Sequence, residues 1–126
     1  MAEERGRILG IGGVFFKSGD PKRLGTWYAE KLGLAVEGNY AQFEWLSKTE
    51  PARQQQTVWA LFPETSEYFD GAAMINYIVD DLDAFLGKME ACGVRIDPKR
   101  EDHEYGRFAW IYDADGNKIE LWEPRE

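Results

Sequence analysis

Apolar positions along the chain alternate between a strand rhythm and a helix rhythm, and the same order of rhythms occurs twice. Ile8 to Ser18 is dense in β-favouring residues and stops at Gly19-Asp20-Pro21, where a side-chain acceptor followed by proline opens a helix. Leu24, Trp27, Tyr28 and Leu32 recur at spacings of three and four, which predicts a helix from Asp20 to Leu32 with one apolar face and a stop at Gly33. Runs rich in aromatic and β-branched residues then predict strands at Leu34 to Glu37, Tyr40 to Leu46 and Thr57 to Phe62. Between the last two, Ser47 to Gln56 is polar, carries Pro51, and reads as a loop.

The second half replays that order. Ala73 to Val79 reads as a strand, and Asp80-Asp81 caps a helix whose Leu82, Phe85, Leu86 and Met89 share one side until Gly93. Strands are predicted at Val94 to Ile96, Tyr105 to Tyr112 and Lys118 to Glu123, the last two joined by the turn Asp113-Ala114-Asp115-Gly116-Asn117. Lys99 to Glu104, which holds His103, reads as a charged connector. The pattern is β-α-β-β-β twice, an α+β class, with residues 1–126 as a single domain of two modules at about 7–63 and 72–124. Sequence self-similarity at an offset of 61 carries Val58 to Pro63 onto Ile119 to Pro124, Gly13 onto Met74 and Asp20 onto Asp81. Duplicated modules present each site position twice, so the offset names Gly13, Trp59, Met74 and Glu120 as equivalent places.

Composition narrows the function. A hydrophobic fraction of 44% over 126 residues is enough for a core, and a net charge of −8 opposes binding to nucleic acid or an anionic membrane surface. The opening Met1 to Arg7 is polar, and no run approaches the roughly 20 apolar residues that span a bilayer, so a cytoplasmic protein is expected. One cysteine, Cys92, excludes an internal disulfide and any zinc site needing two thiolates; its place at a helix end reads as a small buried thiol.

Gly10 to Val14 leading to Asp20-Pro21, Trp27-Tyr28 to Leu34, Val79 to Ala84, and Asp113 to Leu121 together resemble the vicinal oxygen chelate superfamily of glyoxalases, extradiol dioxygenases, fosfomycin-modifying enzymes and bleomycin-binding proteins. The resemblance covers nearly the whole chain and implies two βαβββ modules forming an open cupped barrel, with a homodimer. It also implies one divalent ion held from the four equivalent strand positions. Here those carry Gly13, Trp59, Met74 and Glu120, and the residue types do not supply the set. Glycine and indole are not ligands, thioether is soft, and a lone carboxylate falls short of the three protein ligands that catalytic zinc takes. No metal and no cofactor is therefore expected.

By strand parity Glu120 shares a side with Lys118 and Trp122, while Ile119 and Leu121 face the helices. Trp59 with Leu61, Phe15 with Gly13 and Lys17, and Met74 with Asn76 are assigned to the same concave wall, as are Phe108, Trp110 and Tyr112. An apolar, aromatic wall with few polar groups is what small-molecule pockets present. The expected ligand contacts are Phe15, Trp59, Met74, Asn76, Trp110 and Trp122. Desolvation there would disfavour the charged form of Glu120 unless a cation is near, which suits a catalytic acid or base; a structural carboxylate held by Lys17 or Lys118 remains the alternative. The expected function is metal-free binding of a small aromatic or hydrophobic molecule, as in the bleomycin-binding relatives. A glyoxalase-like lyase or isomerase, or a metal-independent enzyme using Glu120, stays open beside it. His103 reads as a surface residue or as a proton shuttle on a loop folded over the cup.

Overall fold

The computed structural model describes residues 5–48 and 53–125 and divides the chain into two units, Gly12–Met74 and Met1–Ile11 with Ile75–Glu126. Residues 1–4 of the polar opening, and 49–52 of the Ser47 to Gln56 loop with its Pro51, lie outside the described residues.

In the Gly12–Met74 unit, β1 (Ile8–Ser18), which belongs to it from Gly12 onward, hands over to α1 (Pro21–Leu32) as its residues require. Asp20 is the N-cap and accepts from the Arg23 N–H at 3.1 Å, Pro21 fills the first turn without wasting a donor, and Gly33 closes the helix at φ 72°. β2 (Tyr40–Leu46) runs antiparallel to β3 (Gln54–Pro63), and β3 runs parallel to β1, in the order β2-β3-β1. The polar residues Gln54 to Gln56, expected in a loop, are strand. Leu34 to Glu37 is not a strand: the Leu34 N–H is spent on the Tyr28 carbonyl and the Val36 N–H on Leu34, leaving one isolated bridge at Glu37 and Tyr40. Leu34 and Val36 serve as packing residues, with Phe16, Leu24 and Tyr28, around the buried Ala41, Trp59 and Leu61.

The second unit contains β4 (Ala73–Val79) from Ile75 onward, then α2 (Leu82–Ala91), β5 (Arg95–His103), β6 (Gly106–Tyr112) and β7 (Lys118–Pro124), in the order β4-β7-β6-β5. β4 and β7 are parallel; β5, β6 and β7 form an antiparallel meander. Asp81 caps α2, accepting from the Ala84 N–H at 3.0 Å. Leu82, Phe85 and Leu86 meet Val79, Ala109, Ile111 and Leu121, so the faces expected for Ala109, Ile111 and Leu121 are the faces found. Asp80 gathers the N–H groups of Gly6 and Arg7 at 2.9 and 2.7 Å. Burial pushes its pKa up, but those donors together outweigh burial and hold it below the usual value.

Two expectations are corrected in this unit. The charged connector from Lys99 is the second half of β5, in register with β6 after an irregularity between Ile96 and Arg100 where Pro98 offers no ladder donor. Cys92, expected to be buried, is exposed, because it is the C-cap of α2, beyond the stripe of Leu82, Phe85 and Leu86. No helix among the described residues is long and apolar enough to cross a membrane.

Candidate functional site

The register of the two parallel pairs decides which residues share a wall. In the first unit Phe15 pairs with Ala60 and Phe16 with Leu61; in the second Asn76 pairs with Glu120 and Tyr77 with Leu121. Phe16 and Tyr77 are 61 apart but Leu61 and Leu121 only 60, so the offset slips by one residue between the first and last strands of each half. A slip of one turns every side chain to the opposite face. Ala60, not Trp59, is therefore the counterpart of Glu120. Trp59 lies on the α1 side, 5.5 Å from the Phe16 ring and 4.8 Å from Tyr28, packed as core with Leu61; it is removed from the expected ligand wall.

The face of the first unit turned away from α1 is aromatic and already covered. Phe15 lies 5.6 Å from Phe62, Tyr68 stacks on Phe62 at 5.7 Å, and Phe69, 1% exposed, sits against Phe62 under the Lys17 ammonium. Lys17, one of the two cations proposed to hold Glu120, is thus engaged with Phe69. Met74 is buried and Gly13 has no side chain. This unit also carries a surface groove lined by Ser18, Asp20, Arg23, Leu24, Trp27 and Tyr28, remote in kind from the expected contacts; Trp27, on the apolar face expected of the helix, is half exposed there.

The polar chemistry is in the second unit, on the face turned away from α2. Glu120 is buried, and its two carboxylate oxygens each accept a side-chain N–H: Asn76 Nδ2 donates to Oε1 at 2.7 Å and Trp110 Nε1 to Oε2 at 3.1 Å. Asn76 is 2% exposed, and its Oδ1 has no hydrogen-bond partner. The amide orientation follows from Glu120, because a carboxylate takes the N–H₂ end and turns the amide oxygen away. Next to this cluster Phe108 stacks on Trp122 at 5.9 Å with rings nearly parallel, and the Trp122 N–H is fixed by the Tyr105 carbonyl at 3.0 Å. Lys99 and Lys118 bring their ammonium groups 5.5 and 5.6 Å from the Trp110 centroid. Gly106, at φ 143°, is required where it stands: a Cβ there would overlap the Trp122 indole and the Glu123 carbonyl.

Strand register also brings in residues the sequence reading set aside. Glu101 pairs with Phe108, so the alternate residues Lys99, Glu101 and His103 share the face of Phe108 and Trp110. His103 Nε2 is 2.8 Å from Glu101 Oε1, Lys99 is 3.1 Å from Glu101 Oε2, and the imidazole stacks on Tyr105 at 5.0 Å. The His103 hydrogen bond first, and Lys99 next, hold the Glu101 pKa below its usual value. The signal was period-two spacing within a charged run, hidden because charge was taken as a loop signature. Arg107 lies on the α2 side and binds Asp83 at 2.8 Å; that bond, followed by the one from Arg100, lowers the Asp83 pKa.

The metal implied by the resemblance does not fit these residues. With the corrected register the positions are Gly13, Ala60, Met74 and Glu120, and the one carboxylate already receives two N–H donors, which a cation would have to displace. Among the described residues no group of three or more His, Cys, Asp or Glu side chains is arranged to hold an ion.

Solved structures similar to this chain include methylmalonyl-CoA epimerases. A variant of the Streptomyces coelicolor enzyme, in complex with 2-nitronate-propionyl-CoA, has TM-score 0.70 and 16% identity over 95% of this chain and 100% of that one. The Mycobacterium tuberculosis methylmalonyl-CoA epimerase has TM-score 0.62 and 22% identity over 100% and 94%. A Legionella pneumophila structure described as an NAD-dependent benzaldehyde dehydrogenase has TM-score 0.59 and 14% identity over 90% and 98%. At such identities the likeness shows the fold. No curated protein matches the chain in sequence. The model of the Glyoxalase/Bleomycin resistance protein/Dioxygenase superfamily matches residues 10–121, and the chain belongs to that family.

Proposed function

We propose that the protein binds a small aromatic or hydrophobic molecule without a divalent ion, using the face of the second unit on which Phe108, Trp110 and Trp122 surround Asn76 and Glu120. The observation that carries this reading is the buried cluster in which Asn76 and Trp110 occupy the Glu120 oxygens while Asn76 Oδ1 has no partner. A buried acceptor without a donor costs roughly 1 to 3 kcal/mol, which a ligand hydroxyl or N–H can recover. Aromatic walls with one such polar anchor suit flat guests. Glu120 and Asn76 orient the ligand, and Trp122 with Phe108 stacks on it. The reading includes a homodimer and a cytoplasmic location, as the family resemblance and the composition suggest.

The test is elemental analysis of the purified protein together with a thermal-shift panel of phenols, aromatic amines, plain arenes and methylmalonyl-CoA. The expected result is no stoichiometric divalent ion and a raised melting temperature with the hydroxyl- or N–H-bearing arenes, weakened in Asn76→Leu. One zinc, nickel or manganese held per chain, or a response to the CoA ester alone, would end this reading. Light scattering at the mass of one chain would remove the dimer.

A further inference from the structure

His103 takes no part in the binding role above, yet it is held as a working imidazole would be. Its Nε2 lies 2.8 Å from Glu101 Oε1. A carboxylate only accepts, so Nε2 carries a proton, and in the neutral imidazole the lone pair is on Nδ1. Among the described residues Nδ1 has no hydrogen-bond partner, and the side chain is 38% exposed. The ring is fixed from several sides: it lies flat on Tyr105 and edge-on to Phe108, and Arg125 Nε donates to the His103 carbonyl at 2.9 Å while its guanidinium also meets Asp102. Lys99 secures the other oxygen of Glu101 at 3.1 Å. The charged or titratable groups around the imidazole are thus Glu101, Lys99 and Tyr105 on its own face and Asp102 with Arg125 at the strand end. Phe108, which touches His103, also stacks on Trp122, so the base borders the aromatic surface proposed to hold the ligand.

We infer that Lys99, Glu101 and His103 form a relay of hydrogen bond and charge in which Nδ1 of His103 alone removes a proton from a flat, conjugated carbon acid lying on Phe108 and Trp122. This rests on the binding reading and adds a reaction to it. Glu101 is a positioning residue: it sets the tautomer and stabilises the imidazolium that forms. The imidazolium then returns its proton to the product or to water.

The probe is 5-nitrobenzisoxazole, a flat arene whose opening needs a base alone. Nδ1 takes the proton from carbon, the C–H pair forms the nitrile, and the N–O bond breaks with its pair left on the phenolate oxygen. Binding is read by tryptophan fluorescence and turnover by phenolate absorbance. The expected result is turnover that falls at acid pH as a single proton is taken up. It drops about 100-fold in His103→Gln, the lower end of what a positioned base contributes, and about 10-fold in Glu101→Gln, with binding of the probe unchanged in both. Binding without turnover above that of free imidazole, or turnover preserved in His103→Gln, overturns the relay and leaves the binding reading standing. If the probe does not bind while the thermal-shift panel does, the relay alone falls. Silence in both removes both readings.

Discussion

The two units use one plan for opposite ends. In each, a parallel strand pair backs a helix, an aspartate caps that helix, and the helix-side face is apolar. On the other face they part at a single register position. Where Asn76 stands beside Glu120, the first unit has Phe15 beside Ala60. The polar pair is buried with Trp110 on the face that also carries His103 and Glu101, whereas Phe15 packs on Phe62, which Tyr68 and Phe69 from the unit's own chain cover.

The sharpest way to break this contrast is Trp110→Ala. It removes a side chain 1% exposed and one of the two donors to Glu120, so chemical denaturation should show a loss of about 4 to 6 kcal/mol, with ligand response abolished. Phe69→Ala is its counterpart in the other unit. Stability should fall by about 3 to 4 kcal/mol while the ligand-induced melting shift is retained; loss of that shift would show that the first unit contributes to recognition. Asn76→Ala, which withdraws a donor from a buried carboxylate, is expected to cost about 1 to 3 kcal/mol and to weaken ligand binding in proportion.

Acid should discriminate the units next. Asp83 is held low by Arg107 and Arg100, Asp97 by the Tyr112 hydroxyl, Glu101 by His103 and Lys99, and Asp80 by backbone donors despite its burial, and all four belong to the second unit. Each folded-state pKa is depressed, so its stabilisation is complete above the ordinary carboxylate value near 4 and is lost as pH falls through the lower folded value. Amide protection, corrected for the intrinsic slowing of exchange by acid, should fall on acidification in β5 and in the α2 entry before it does in β3. The smallest effect is a matched pair of cap deletions: Asp20→Ala and Asp81→Ala should each cost about 1 kcal/mol by denaturation, with neither altering ligand response.

How much of this was legible beforehand differs by element. Asp20-Pro21 and Asp81 announced both helix starts because capping is local, and Ile8 to Ser18 matched its strand end to end because its apolar density left one reading. Leu34 to Glu37 carried equally good strand residues and failed, since Gly33 had turned the chain so that its N–H groups bonded locally. Gln54 to Gln56 and Lys99 to His103 read as loops and are strands, because pairing to a neighbour overrides weak propensity.

The sequence by itself determined the strand-to-helix opening of each half, the caps, and the turn of Leu121 toward α2 with Glu120 on the opposite face, all of which follow from residue type and short-range period. Only the tertiary structure decided that Trp59 is core and Ala60 the true counterpart of Glu120, that Asn76 and Trp110 are the donors it meets, and that His103 stands on the same face. Those depend on register between strands tens of residues apart, where one step reverses a side chain and nothing local records the step.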